Sequence, residues 1–264
     1  MTIRVLISGS GNMGQEVLAA ICREEGFAPA GVVDLYADAD SIPLPEGSAA
    51  VPFSADVAEV IKETRPDVAI DFTNAEWTPK LTDAALDAGV RLVIGTSGLG
   101  NEFVKQLAAE CGKRQLGAVI APNFALGAIL MQHMAKTAAR FYGSAEIIEL
   151  HHDRKVDAPS GTAIATAKGM AEARGKPFTR AETQRENLPG TRGGEVDGVT
   201  IHSVRLPGLV AHQEVILGSP GEVLTIRHDT LGRESFMPGV LLAVRHVMGH
   251  PGLVVGLERL IGLK

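Results

Sequence analysis

The chain has 264 residues, is 45% hydrophobic and 21% charged, and carries a formal net charge of −6. That balance excludes a disordered polymer, and with Cys22 and Cys111 as the only cysteines it excludes a disulfide scaffold. The acidic sum offers no surface for nucleic acid or anionic lipid. Met1 runs directly into Ile3-Arg4-Val5-Leu6-Ile7, and the late apolar run at 240–247 is broken by Arg245 and His246. No secretory leader and no membrane span are therefore expected, and the cytoplasm is the expected compartment.

Strand and helix signals alternate through the first half. An apolar run at 3–8 leads through glycines into a helical pattern carrying Val17, Leu18 and Ile21, which Gly26 is expected to close. A second strand is predicted at 28–33. A loop rich in Pro and Asp follows, then a helix at 57–64 with Val57, Val60 and Ile61 on one face. After the stop at Pro66 the pattern reads strand 68–72, helix 79–88, strand 91–94, helix 102–112 and strand 118–120. Short strands apolar throughout, separated by helices, are what a parallel sheet covered on both faces requires. The fold class is α/β, with a Rossmann-like doubly wound domain over residues 1–122.

The second half reads differently. A long helix is predicted at 125–141, a weakly alternating strand at 145–151, and a helix at 160–174 with Ser160 as N-cap and Gly175 just past its end. The polar segment 176–198, with Pro189, Gly190, Gly193 and Gly194, reads as a mobile loop. Strand-like runs at 199–205, 212–217 and 223–228 then suggest a separate α+β domain on an open mixed sheet, at 123–232. The last helix, 238–248, is apolar enough to return to the first domain, so 233–264 is assigned there.

Gly9-Ser10-Gly11-Asn12-Met13-Gly14 matches G-x-G-x-x-G between a predicted strand and a predicted helix. The first glycine serves the tight turn and the second lets backbone amides approach a pyrophosphate. The third allows close helix–strand packing. Taken alone such a run is an ordinary glycine-rich turn. Here Asp34 ends the second strand twenty residues after Gly14, where a carboxylate meets a ribose 2′-hydroxyl. Leu35 and Tyr36 follow it, so no arginine is there for a 2′-phosphate, and NADH is expected to be preferred with NADPH possible.

The densest chemistry is Glu149-Leu150-His151-His152-Asp153-Arg154-Lys155-Val156-Asp157-Ala158-Pro159-Ser160-Gly161-Thr162. Ser160, Gly161 and Thr162 offer hydroxyls and free amides at a helix start, which suits a carboxylate or phosphate. Lys155 adds a mobile cation, and His151 and His152 are of the residue type able to exchange protons near neutral pH. Each residue alone reads as a solvated loop or a buried histidine; the set, packed within a dozen positions, reads as a binding or catalytic site. No metal is expected, because the histidines are adjacent and no cysteine is near.

These residues, with Asp71-Phe72-Thr73, Gly95-Thr96-Ser97-Gly98 and Ala121-Pro122-Asn123-Phe124, resemble the 4-hydroxy-tetrahydrodipicolinate reductase (dihydrodipicolinate reductase) family of bacterial lysine and diaminopimelate biosynthesis. The resemblance spans nearly the whole length. It implies NAD(P)H-dependent reduction of a small cyclic dicarboxylate with loss of water, a nucleotide-binding first domain, and a second domain that binds substrate and builds a homotetramer through its sheet. By motif, His151 would be the acid/base group. His152, Lys155 and the Ser160, Gly161, Thr162 turn would hold substrate, with Lys155 also a proton donor. Phe72, Gly95, Thr96, Ala121, Asn123 and Phe124 would line the nicotinamide end, and Arg233 would approach a substrate carboxylate near a hinge. Asn12 stands where the family often has a basic residue, which again favours NADH.

Two rivals remain at this stage. Another NAD(P)-dependent enzyme of small carboxylates, such as an amino-acid dehydrogenase, would share the first domain but not the 155–162 block. A nicotinamide-sensing regulator would need a basic nucleic-acid-binding element, and the sequence offers none.

Overall fold

The computed structural model describes residues 2–45, 47 and 49–263. In chain order its elements are β1 (Ile3–Ser8), α1 (Asn12–Arg23), β2 (Phe27–Val33), β3 (Ser41–Pro43), β4 (Ala50–Ser54), α2 (Val57–Thr64), β5 (Val68–Asp71), α3 (Thr78–Asp87), β6 (Arg91–Ile94), α4 (Asn101–Arg114) and β7 (Gly117–Ile120). They continue as α5 (Leu126–Ala139), β8 (Ser144–His151), α6 (Gly161–Arg174), β9 (Gly194–Val196), β10 (Val199–Arg205), β11 (Ala211–Ser219), β12 (Glu222–Thr230), a 3-10 turn at Arg233–Phe236, α7 (Met237–Gly249) and β13 (Gly252–Val255). Contacts group the chain up to Leu126, with the stretch from Arg233 onward, into one unit and Gly127–Gly232 into a second.

In the first unit eight strands lie in the order β13-β7-β6-β5-β1-β2-β4-β3. All pairings are parallel except β3 with β4. The chain builds outward from β1 to one side through β2 and β4, then crosses over to β5 and builds the other side. The neighbours β1 and β5 therefore form a switch point, where the crevice beyond the carboxyl ends of an open α/β sheet takes ligands. Val5, Leu6, Val68, Ala69, Leu92, Val93 and Val119 are fully buried, as strands covered on both faces require. Helix α2 starts where the Asp56 carboxylate accepts from Glu59 N–H at 3.0 Å and ends at Arg65 in the left-handed region, φ 46°.

The Pro- and Asp-rich loop predicted between residues 34 and 56 instead holds β3 and β4, with Val51 and Phe53 buried. Strands of three and five residues give too short an alternation to read locally. The terminal β13 pairs with β7 and was equally hidden in four residues. Helix α1 ends at Arg23, before Gly26, which takes φ 83° in the turn toward β2.

The second unit is a five-stranded mixed sheet, β12-β11-β8-β10-β9, with β8 parallel to β10 and antiparallel to β11. One face is apolar. Ala145, Ile147, Val215, Leu217 and Ile201 pack with Met131 and Ala135 of α5 and Ala163, Ala167 and Met170 of α6. Strand alternation carries that buried face on to Glu149 and then His151. The segment expected to be a loop throughout contains β9, joined to β10 by Asp197 and Gly198 at φ 52° and 80°, the conformations a two-residue hairpin turn requires. Buried Phe178, whose N–H bonds Asp197 O at 3.0 Å, anchors the same segment.

Candidate active site

The glycine loop leaves β1 at Ser8. Gly9 adopts φ +100°, and a Cβ on Gly14 would stand 1.8 Å from Gly9 O, so the third glycine of the run lets α1 touch the turn. Gly11 is the N-cap of α1 and provides no side-chain cap, and nothing lies within 4 Å of where its Cβ would be. The first turn, at exposed Asn12 and half-buried Met13, therefore keeps its amides available, with no acidic residue opposing an anion there. Asp34 faces this loop. Its Oδ2 accepts from Ser10 N at 2.7 Å and Ser10 Oγ at 2.8 Å, and its Oδ1 from Tyr36 N at 3.0 Å. Burial pushes the Asp34 carboxyl up, but these hydrogen bonds outweigh it and hold the group below its usual range.

The turns after β5 and β6 and the start of α3 meet around one buried carboxylate. Asp71 is fully buried and accepts from Thr73 Oγ1 at 2.7 Å, Thr78 Oγ1 at 2.5 Å and Thr96 Oγ1 at 2.8 Å. Thr96 Oγ1 also accepts from Thr73 N at 3.0 Å, which ties the turn after β5 to the turn after β6. A Cβ on Gly95 would fall 2.0 Å from the Phe72 ring, and that ring meets Phe124 edge-on with centroids 5.4 Å apart. Phe72, Gly95, Thr96 and Phe124 are thus brought together. Phe124 is 1% exposed and buttresses Phe72, and the Thr96 hydroxyl is turned to Asp71. Ala121 is buried with its N–H on Ile94 O, and Asn123 Oδ1 accepts from Ala125 N at 2.8 Å.

In the second unit the chemistry centres on Glu149. Arg205 grips it with two bonds, at 2.9 Å to Oε2 and 2.8 Å to Oε1. Ser160 N donates to Oε1 at 3.2 Å, and His151 Nδ1 lies 2.5 Å from Oε2. Burial raises the Glu149 carboxyl, but Arg205, Ser203 and His151 bring it below its usual range, so it is a carboxylate. Burial lowers His151 below the ordinary imidazole value; Glu149 pulls it back up in part, while Lys155 and Arg205 push it down. Lys155 Nζ donates to Asp157 Oδ1 at 2.6 Å, so this cation is paired two residues away.

Ser160 is 3% exposed and caps α6 through its hydroxyl, which accepts from Ala163 N at 3.1 Å. That hydroxyl is engaged, leaving the amides of exposed Gly161 and half-buried Thr162 for an anion. His152 is half-buried, and its shielded Nδ1 meets no partner among the described residues. Arg233 is exposed at the head of the 3-10 turn and groups with the first unit. Sequence reasoning missed the roles of Glu149, Arg205 and Asp71. The available signal for Glu149 was its i−2 spacing to His151 on a strand whose inward face it shares. Among the described residues no group of three or more His, Cys, Asp or Glu could hold a metal. No described helix is long and apolar enough to cross a membrane.

Residues 3–124 match the family description "Dihydrodipicolinate reductase, N-terminus" and residues 127–261 match its C-terminus. The 4-hydroxy-tetrahydrodipicolinate reductase of Shouchella clausii is 50% identical over 263 residues, 98% of this chain and 99% of its own. That of Dehalococcoides mccartyi strain CBDB1 is 49% identical over 262 residues, 99% of each chain. A solved structure, dipicolinate-bound dihydrodipicolinate reductase from Paenisporosarcina sp. TG-14, matches with a TM-score of 0.88 at 41% identity, covering 98% of this chain and 99% of that one. With both of its halves matched and relatives this similar along their length, the chain belongs to the dihydrodipicolinate reductase family.

Proposed function

We infer that the chain reduces 4-hydroxy-tetrahydrodipicolinate to tetrahydrodipicolinate with NAD(P)H and loss of water, in lysine and diaminopimelate biosynthesis, and that it works in the cytoplasm. The observation that carries this reading is the second unit's cluster, in which a carboxylate-held imidazole, an ammonium and the uncovered amides of a helix start belong to one short stretch. The relative from Paenisporosarcina binds dipicolinate, a planar dicarboxylate, which is the shape and charge such a cluster suits.

The first unit fits a dinucleotide. Gly9, Ser10, Gly11, Asn12, Met13 and Gly14 would hold the pyrophosphate on the amides of α1. Asp34 would take the adenosine ribose hydroxyls. Phe72, Gly95, Thr96, Ala121 and Asn123, with Phe124 behind Phe72, would surround the nicotinamide. When bound, NAD(P)H supplies the hydride. Asp34, held ionised by Ser10 and Tyr36 N–H, would repel a 2′-phosphate, which supports NADH as the preferred form.

In the second unit Lys155 and the amides of Gly161 and Thr162 hold the substrate carboxylates, with His152 assisting; Arg233, which belongs to the first unit, would meet a carboxylate as well. His151 and Lys155 meet the electron pair that hydride addition at ring carbon C4 pushes through the conjugated imine, by delivering a proton. The sheet face opposite the helices, where Ile148 and Ile216 are half-buried and Val223 is 69% exposed, supports self-assembly into a homotetramer.

The test follows absorbance at 340 nm with the preceding synthase generating substrate in situ. NADH is expected to be consumed only when substrate forms, with tetrahydrodipicolinate as product and a lower kcat/KM for NADPH. An amino-acid dehydrogenase would instead oxidise an amino acid with NAD and leave the synthase product untouched.

A further inference from the structure

His151 ends β8 two residues after Glu149, so both side chains project from one face of the sheet. The parallel register sets Ser203 beside Glu149 and Arg205 beside His151, and both neighbours donate to the same carboxylate. Arg205 also donates to Asp157 O at 2.8 Å, which links β10 to the loop bearing Lys155. Glu149 is completely buried, yet its oxygens receive two guanidinium bonds, the Ser160 amide and the His151 ring. A carboxylate gripped in this way accepts only. The hydrogen in its 2.5 Å contact with His151 Nδ1 therefore belongs to the ring.

We propose that Glu149 is a positioning residue for the reaction: clamped by Arg205 and the Ser160 amide, it fixes the His151 ring in its Nδ1–H form, so that Nε2 is the atom that exchanges a proton with substrate. This rests on the reading of His151 as the acid/base group. As hydride adds to C4, the displaced electron pair of the imine takes the proton from Nε2–H of the imidazolium. The imidazole keeps Nδ1–H and regains its second proton from solvent, and Glu149 stays a carboxylate throughout. The charged groups facing His151 are Glu149 on its own strand, Arg205 on β10, and Lys155 with its partner Asp157 on the following loop; β11 presents only Ala211 there. Among them Glu149 alone is both in contact with the ring and favourable to its charge.

Glu149→Gln tests this. Arg205 would claim the amide oxygen, turning the NH2 group toward His151 and moving the ring hydrogen to Nε2. In 15N-histidine spectra the parent protein is expected to show His151 as Nδ1–H and E149Q as Nε2–H. The kcat of E149Q should fall by about 10²–10⁴-fold, the range of lost acid/base help. The pH limb that reports His151, identified by its disappearance in His151→Gln, should move to lower pH, because a partner favouring the charged ring is gone. NADH affinity should be unchanged, and Glu149→Asp should restore the limb and part of kcat. A parent protein with Nε2–H overturns the proposal even if E149Q does not fold. An E149Q variant with unaltered kcat and limb overturns it as well. Full activity in His151→Gln would instead overturn the role of His151, a failure separate from that of Glu149.

Discussion

Lys155 and His151 are held by opposite means. The histidine is fixed from below by a buried carboxylate, whereas Lys155 is paired at the surface with Asp157, whose side chain is 53% exposed. An exposed pair of that kind is worth about 0–1 kcal/mol, so a dianionic substrate held as proposed would displace Asp157 readily. Lys155→Ala should accordingly raise KM as well as lower kcat, while His151→Gln should act on kcat with little change in KM. Each loss of rate is expected at about 10²–10⁴-fold, with NADH affinity, read by fluorescence titration, unchanged. Both residues were legible in the sequence because their chemistry is crowded into a few positions. Arg205 was not, because its bond to Glu149 joins residues 56 apart and exists only once β10 lies beside β8. Asp71 was visible as part of a motif. Its work of holding two turns through three hydroxyls depends on Thr78 and Thr96, which no local spacing connects to it.

Helix α1 and the turn before it show how much an element's position rests on one missing atom. With 1.8 Å between a Gly14 Cβ and Gly9 O, Gly14→Ala must move the helix away from the turn. Overpacking of this kind costs about 1–3 kcal/mol. The larger effect should be on the cradle, because the displaced α1 amides no longer converge on one anion. NADH binding is expected to weaken at least about tenfold, equivalent to about 1.4 kcal/mol. Far-UV circular dichroism should stay close to the parent's, which separates a moved helix from an unfolded one. The elements whose limits the sequence predicted without error, β1, α2, β6 and β10, are bounded by local chemistry: a capping aspartate, a stop at Pro66, or glycine turns. β3, β4, β9 and β13 have three to five residues and owe their existence to a partner strand. Asp197-Gly198 was the one local signal among them, a turn pair flanked by Val196 and Val199.

The two units differ in how they should answer acid. Among the described groups that are buried or half-buried, Asp34 and His246 of the first unit and Glu146, Glu149, His151 and His228 of the second have lowered pKa values. For the histidines burial is the leading cause. For the carboxylates burial opposes the shift, and hydrogen bonds, including those from Arg192 to Glu146 and Arg205 to Glu149, overcome it. Glu110, Asp157 and Asp229 are also lowered, but their pairs lie at the surface where solvent screens them. The sign is the same for all six groups. Each takes up its proton at higher pH in the unfolded chain than in the folded one, so its stabilisation is present above the unfolded value and is lost as pH falls toward the folded one. For the histidines the loss begins below 6.5 and for Glu146 and Glu149 below 4.5. The second unit holds buried Glu149, half-buried Glu146 and two of these three histidines, so it should weaken first. Trp77, the single tryptophan, is buried in the first unit with its Nε1–H on Ser8 Oγ and reports that unit alone. In urea just below the neutral-pH transition, lowering the pH from about 7.5 to about 4 should reduce far-UV ellipticity before Trp77 emission shifts, as two units of unequal acid sensitivity require. Coincident curves would mean that the ionic groups around Glu149 do not set the second unit's acid limit.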